Sequence, residues 1–236
     1  MYIDQELCER CLDCQPVCPM GAIVVKDKKV VIDYEECVEC GVCLRMNICQ
    51  QGAIKQVDEI PYPRVIRSAF SDVLATHENT GIGGRGTEEM KTNDVTDFFK
   101  QGEIGFSIEL GRPGVGAYLS ELEKVLRKVV SFGVTLAPDN PVYPLIADQS
   151  TGALRPEVLR EKVLSAIVEF LVEEDRALDI IEEIQDFINR ELETVATMSV
   201  IARADESGRP VFLGKLKSIG QKPYPNGKVN IGMAQI

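Results

Sequence analysis

Eight cysteines, all lying between Cys8 and Cys49, constrain this chain more than any other feature, and residues 50–236 contain none. They form two runs: Cys8-x2-Cys11-x2-Cys14-x3-Cys18 followed by Pro19, then Cys37-x2-Cys40-x2-Cys43-x5-Cys49. Two cysteines separated by two residues can turn both sulfurs onto one metal centre. A third at the same interval wraps three thiolates around one face of a cluster. A secreted disulfide scaffold would be short and would spread its cysteines over the fold. Zinc favours separate CxxC pairs that close a tetrahedron. Repeated triplets fit neither pattern well, so the reading is a cytoplasmic, metal-binding module. With every cysteine used there, no thiol remains for nucleophilic or redox-sensor duty.

On these residues, 1–58 resemble a bacterial-type ferredoxin with two [4Fe-4S] clusters. The halves also repeat at a shift of about thirty residues: Cys18-Pro-Met-Gly-Ala-Ile echoes Cys49-Gln-Gln-Gly-Ala-Ile. The resemblance implies crossed ligation, in which the fourth cysteine of each run serves the other cluster. Cys8, Cys11, Cys14 and Cys49 would then hold one cluster, and Cys18, Cys37, Cys40 and Cys43 the second. It also implies single-electron transfer. Two departures stand out: residues 44–48 make the last spacer five long where the family usually has three, and Gln50 replaces the usual proline. Residues 1–58 carry ten acids and six bases, an acidity that favours low reduction potentials.

The formal net charge is −11, which excludes nucleic acid as an expected partner because phosphate binding needs a basic patch. No apolar run reaches the length of a membrane span, and the N-terminus has no signal-peptide pattern. The charge is uneven. Residues 156–195 carry twelve acids against four bases, and 207–236 carry five bases and no acid.

Pro61 and Pro63 end the first module. Residues 59–102 read as a connector, with a short helix or an irregular stretch at 65–76 and a glycine-rich polar loop containing GIGGRG at 81–86. That loop meets neither nucleotide fingerprint; with Arg85 and Lys91 it is a linker or an anion-cradling loop. His77, the lone histidine, reads as a surface residue. Residues 103–236 predict a strand at 104–110, a helix at 115–131, a strand from 134, a third strand at 142–147, helices at 156–173 and 175–193, and a strand at 194–204. The acids of the two later helices are expected on a solvated face.

The expected fold class is α+β: a small two-cluster 4Fe-4S ferredoxin module, then a βαββαβ-like α/β sandwich with an extra helix and a basic C-terminal tail. Residues 109–122, ELGRPGVGAYLSEL, distantly resemble the strand-to-helix turn of ACT regulatory domains. That resemblance implies a small-molecule ligand in the C-terminal domain, and an ordinary turn explains the same residues. No catalytic residue is singled out. The leading reading is an iron–sulfur electron-transfer protein serving a redox partner protein, as the iron–sulfur subunit of an oxidoreductase. The alternatives are an enzyme or activase whose clusters feed a cofactor in the C-terminal domain, and a ligand or redox sensor. A homo-oligomer is left open.

Overall fold

The computed structural model of the protein describes residues 1–76, 98, 100–112, 114–209 and 211–222. The glycine-rich loop with His77, Arg85 and Lys91, and the tail beyond residue 222, lie outside the described residues.

The cysteine-bearing part is built on two short antiparallel pairs. Strand β1 (Tyr2–Ile3) pairs with β4 (Ile54–Lys55), and β2 (Ile23–Lys26) forms a hairpin with β3 (Lys29–Ile32). At the hairpin tip Asp27 and Lys28 both have positive φ, 51° and 61°, the backbone hand that matches strand twist in a two-residue loop. Helix α1 (Val42–Arg45) is a single turn. Ile3, Ile23, Val30 and Ala53 form a buried apolar cluster here, with Cys8, Cys14, Cys18, Cys43 and Cys49 packed against it, and Met1, Ala22, Val38 and Ile54 are buried as well.

Helix α2 (Val65–Ser71) is no loose connector. Ile66 and Phe70 on one side enter the core of the C-terminal part, while Arg64, its N-cap, and Arg67 reach the cysteine loops.

The C-terminal part has a four-stranded sheet in the order β12-β5-β11-β7, with every neighbouring pair antiparallel. The strands are β5 (Glu103–Leu110), β7 (Thr135–Leu136), β11 (Ala166–Glu173) and β12 (Ala196–Ala202). Helix α3 (Leu119–Val130) lies between β5 and β7 in the chain, and α4 (Ala177–Glu191) between β11 and β12. Period-2 alternation sends Ile104, Phe106, Ile108 and Leu110 to the same face as Val168, Phe170 and Val172. There they pack with Leu122, Val125, Leu126 and Val129 of α3 and Ile180, Ile181 and Ile184 of α4. Phe106 and Phe170, partners in register, stack with ring centroids 4.9 Å apart. The architecture is α+β. Outside the main sheet, β6 (Ala117–Tyr118) pairs with β10 (Lys162–Val163), and β8 (Ile146–Asp148) with β9 (Ala153–Leu154). Helix α5 (Val211–Ser218) packs its Phe212 into the core.

Several expectations are corrected. The helix expected over 156–173 is a 3₁₀ turn at Pro156–Val158 followed by β10 and β11. Residues 166–172 are buried at every position. Being apolar on both faces, such a strand satisfies the four-residue spacing of Val163, Ile167 and Leu171 as well as a helix would. The additional helix lies instead in the basic tail, as α5. The helix expected from 115 starts at Leu119, because Ala117 and Tyr118 are taken up by β6. The strand expected at 142–147 is a 3₁₀ turn, Tyr143–Leu145, leading into β8. Two of the acids expected on a solvated face are buried, Glu161 at 8% and Glu169 at 2% exposure. Glu169 accepts hydrogen bonds from Ser107 Oγ at 2.9 Å and Asn140 Nδ2 at 3.1 Å.

The end of β5 is tightly built. Gly111 has φ of 91°, and a Cβ there would sit 2.8 Å from both the Leu164 carbonyl oxygen and the Gly116 carbonyl carbon. Gly111→Ala is expected to destabilise the protein by about 2–3 kcal/mol through left-handed strain and overpacking. A urea titration would show it as a lower midpoint at unchanged slope. A loss below about 0.5 kcal/mol, ordinary for surface substitutions, would mean that this junction yields easily.

Candidate metal centre

The same backbone device brings the cysteines together in both halves. In each triplet the residues flanking the second cysteine have positive φ: Arg10 (62°) and Leu12 (70°) in the first, Glu39 (54°) and Gly41 (69°) in the second. Three of these four are not glycine, at a cost of about 1–2 kcal/mol each. Strain of this kind collects where a site demands it. Beyond the fourth cysteine of each run, Gly21 and Gly52 also turn left-handed. The next amide then donates to sulfur, Ala22 N–H to Cys18 Sγ at 3.3 Å and Ala53 N–H to Cys49 Sγ at 3.2 Å. The repeated Gly-Ala-Ile of the sequence is therefore a repeated N–H···S bond.

The eight sulfurs line two cavities. One, of about 620 Å³ counting the part open to solvent, has Cys8, Cys11, Cys14 and Cys49 in its wall, with apolar Ile3, Val30, Ala53 and Ile54 behind them. The other, of about 340 Å³, has Cys18, Cys37, Cys40 and Cys43, backed by Met1, Ala22, Ile23, Ile32 and Val38. Each cavity takes three cysteines from one run and the fourth from the other. Among the described residues, no three His, Cys, Asp or Glu side chains converge on a point suited to a single ion.

Burial pushes the thiol of Cys43 up to about 11, and the neighbouring sulfurs of Cys37, Cys40 and Cys18 act in the same direction. Cys14, Cys37 and Cys40 are raised for the same first reason, burial. For Cys14 the sulfurs that add to the effect are Cys11, Cys8 and Cys49, its own quartet. Four crowded thiols with apolar backing and amide donors suit a cationic, sulfur-rich group that takes them as thiolates. Binding such a group releases protons. The donor set therefore fits a 4Fe-4S cluster in each cavity.

The two cavities differ in surroundings. Cys11 is exposed whereas Cys40 is buried. The second triplet is gripped by α2 and its flanks. Arg64 pairs with Glu39, which also holds the N-terminal ammonium of Met1 at 2.8 Å, and the guanidinium lies 3.4 Å from the Tyr34 ring centroid. Arg67 pairs with Glu161 at 2.5 Å, and Lys162 with Glu36 at 2.5 Å. Tyr62 donates to Glu157 at 2.9 Å, and the amide of Leu164 to Ser71 Oγ at 2.9 Å. Met20, in the wall of the smaller cavity, touches Gly116, where a Cβ would lie 2.7 Å from its methyl. The turn that resembled an ACT ligand site is thus packed against the cysteine module. Sequence reasoning missed Arg45, Arg64, Arg67 and Glu39 as parts of this site. Their one legible hint was the i, i+3 spacing of Arg64 and Arg67 just after Pro63.

Two quartets of cysteine on two short antiparallel strand pairs suit an iron–sulfur module of the dicluster kind. Residues 1–50 match the family model of the 4Fe-4S dicluster domain. An uncharacterised ferredoxin of Methanocaldococcus jannaschii is 39% identical over 56 residues, 22% of this chain and 87% of that protein. The chain belongs, through this N-terminal segment, to the 4Fe-4S dicluster ferredoxins. Ferredoxin-1 of Rhodobacter capsulatus is 52% identical over 40 residues, 17% of this chain. The match spans only 62% of that relative's own length. Pyruvate synthase subunit PorD of M. jannaschii is 40% identical over 58 residues, 24% of this chain and 65% of that protein. The family match ends at residue 50, and no solved structure matches the chain. Among the described residues, no helix is long and apolar enough to cross a membrane.

Proposed function

We propose that the chain relays single electrons through two 4Fe-4S clusters to or from a partner oxidoreductase, as its iron–sulfur subunit. Cys8, Cys11, Cys14 and Cys49 hold one cluster, and Cys18, Cys37, Cys40 and Cys43 the other. The observation that carries this reading is the sorting of eight cysteines into two quartets around two cavities, each quartet drawn from both runs. The similarity to a pyruvate synthase subunit supports an oxidoreductase partner. Eight free thiols gathered in one module suit the reducing cytoplasm.

Each cluster, when bound, takes up one electron with the charge spread over its irons. The protein's own residues set the conditions. Amides of Ala22 and Ala53 donate to ligand sulfurs, which favours the reduced state by stabilising added negative charge. Ile3, Val30 and Ala53 on one side, and Ile23, Ile32 and Val38 on the other, give the two quartets an apolar backing. The crossed ligands tie the halves together, so the clusters are held at a fixed separation. We read the C-terminal part as a βαββαβ-type sandwich that caps the cysteine module and carries the docking surface for the partner. Residues 1–58 and 103–236 are the two domains in this reading, with α2 as the wedge between them.

Anaerobic purification followed by reductive titration tests this. Roughly eight irons and eight sulfides per chain are expected for two four-iron clusters, with spin-coupled EPR signals when both are reduced. Full iron content with no reducible signal would sink electron transfer and leave a structural role.

A further inference from the structure

Among the described residues, three guanidinium groups grip the backbone of one cysteine quartet and none grips the other. Arg64 Nη2 and Arg67 Nη1 both donate to the carbonyl of Cys37, at 3.3 and 3.0 Å. Arg45 Nη2 donates to the carbonyl of Cys40 at 2.5 Å. Arg67 Nη1 also holds the carbonyls of Tyr34 and Glu35, at 3.2 and 2.8 Å, on the approach to Cys37. These cations are largely withdrawn from water, with side-chain exposures of 9% for Arg64, 4% for Arg67 and 30% for Arg45.

Each of these cations also faces a carboxylate. Glu39 is shared by Arg64 and the N-terminal ammonium, Glu161 faces Arg67, Asp72 faces Arg45, and Glu36 faces Lys162. The guanidinium groups are the charged partners bonded directly to the cysteine carbonyls, and the wall of this cavity carries no charged side chain. The wall of the other cavity carries Glu9, Arg10 and Asp13, all exposed: two carboxylates against one guanidinium. Arg10 there donates to the Lys28 carbonyl, away from the cysteine loop.

We propose that Arg45, Arg64 and Arg67 are positioning residues that make the Cys18, Cys37, Cys40 and Cys43 quartet the seat of the higher-potential cluster. An electron given to the chain then comes to rest on the side packed against the α+β domain. This rests on the electron-transfer reading above. The physical reason is that reduction adds one negative charge. A fixed cation in a low-dielectric setting stabilises that charge more than an exposed, salt-screened one does. Each guanidinium also neutralises the negative end of a peptide dipole on a ligand cysteine. In an acidic module this collar sets the two quartets apart in charge. It is contributed in part by α2, beyond the family match.

The test is an EPR-monitored potentiometric titration of the full chain with an added one-electron, low-potential reductant, with iron and sulfide counted in each sample. The wild type should give two separate one-electron waves. Arg45→Gln should lower only the more positive wave, by tenfold or more in its reduction equilibrium, about 59 mV for one electron. Glu9→Lys, at the other cavity, should raise only the more negative wave. Arg45→Lys, which keeps the charge, should leave both waves within a few-fold of wild type, and it carries the test if Arg45→Gln loses iron. Coincident wild-type waves, a shift of the more negative wave by Arg45→Gln, or a tenfold fall of the more positive wave in Arg45→Lys would each overturn the proposal. A wild type that holds its iron but shows no wave defeats the electron-transfer reading and the proposal together. Two wild-type waves with the wrong responses defeat the proposal alone.

Discussion

Stripping iron from the purified full chain with a chelator is expected to unfold residues 1–58 while the α+β domain stays folded. The cysteine module has a small apolar core, Ile3, Ile23, Val30 and Ala53 in one cluster with Met1, Ala22, Val38 and Ile54 buried beside the cavities, and two of its strands are two residues long. Its remaining packing is against sulfur. Without the metal, crowded thiols such as that of Cys43 must stay protonated beside a cavity. Arg10, Leu12 and Glu39 would keep their left-handed backbone with nothing to require it. So short a module has too little core to fold unaided. The α+β domain, by contrast, has one continuous core running from Ile66 to Phe212. Amide hydrogen exchange should therefore lose protection in β2 and β3 by roughly a thousandfold or more, about 4 kcal/mol. Protection in β5, β11 and β12 should stay near the holo level. If β2 and β3 remain protected after iron is gone, the module has a stability of its own and the clusters are not its core.

The cysteine module was legible in the sequence because its chemistry is local. Spacing, the Gly-Ala-Ile repeat and Cys18-Pro19 all lie within fifty residues, and the structure gathers those cysteines into two quartets. Helices α3 and α4 were legible because each buries one stripe, as with Leu122, Val125, Leu126 and Val129. What failed was β11. A strand covered on both faces is apolar at every position, so its periodicity does not separate it from a helix. Arg64 and Arg67 were illegible for another reason. Their partners, Tyr34, Cys37, Glu39 and Glu161, come from both domains, and long-range pairing leaves no mark in a local window. The burial of Glu161 and Glu169 follows the same logic, since each is stabilised by donors distant in the chain, Arg67 for one and Ser107 for the other.

Arg67→Ala is expected to cost about 3–5 kcal/mol in the holo protein, the penalty for leaving a buried carboxylate without its cation. One side chain holds four acceptors: the Glu161 carboxylate at 2.5 Å and the carbonyls of Tyr34, Glu35 and Cys37. Both members of the ion pair are shielded, with side-chain exposures of 4% and 11%. The contact therefore escapes the solvent screening that makes surface pairs nearly neutral. Alanine leaves the Glu161 carboxylate and the Glu35 carbonyl without their donor where α2 wedges between the two domains, while Arg64 still holds the carbonyls of Tyr34 and Cys37. If the cost comes mainly from the stranded carboxylate, adding Glu161→Gln to Arg67→Ala should recover part of it, with a coupling of about 1–3 kcal/mol in a double-mutant cycle. Urea unfolding under anaerobic conditions, followed by both cluster absorbance and far-UV circular dichroism, measures it. The absorbance transition should move to lower urea first, because the lost bonds lie on the cysteine side of the contact. Additive single mutants, or a loss below about 1 kcal/mol in Arg67→Ala, would mean that the carbonyls find other donors and that α2 holds the domains together by its apolar side, Ile66 and Phe70, alone.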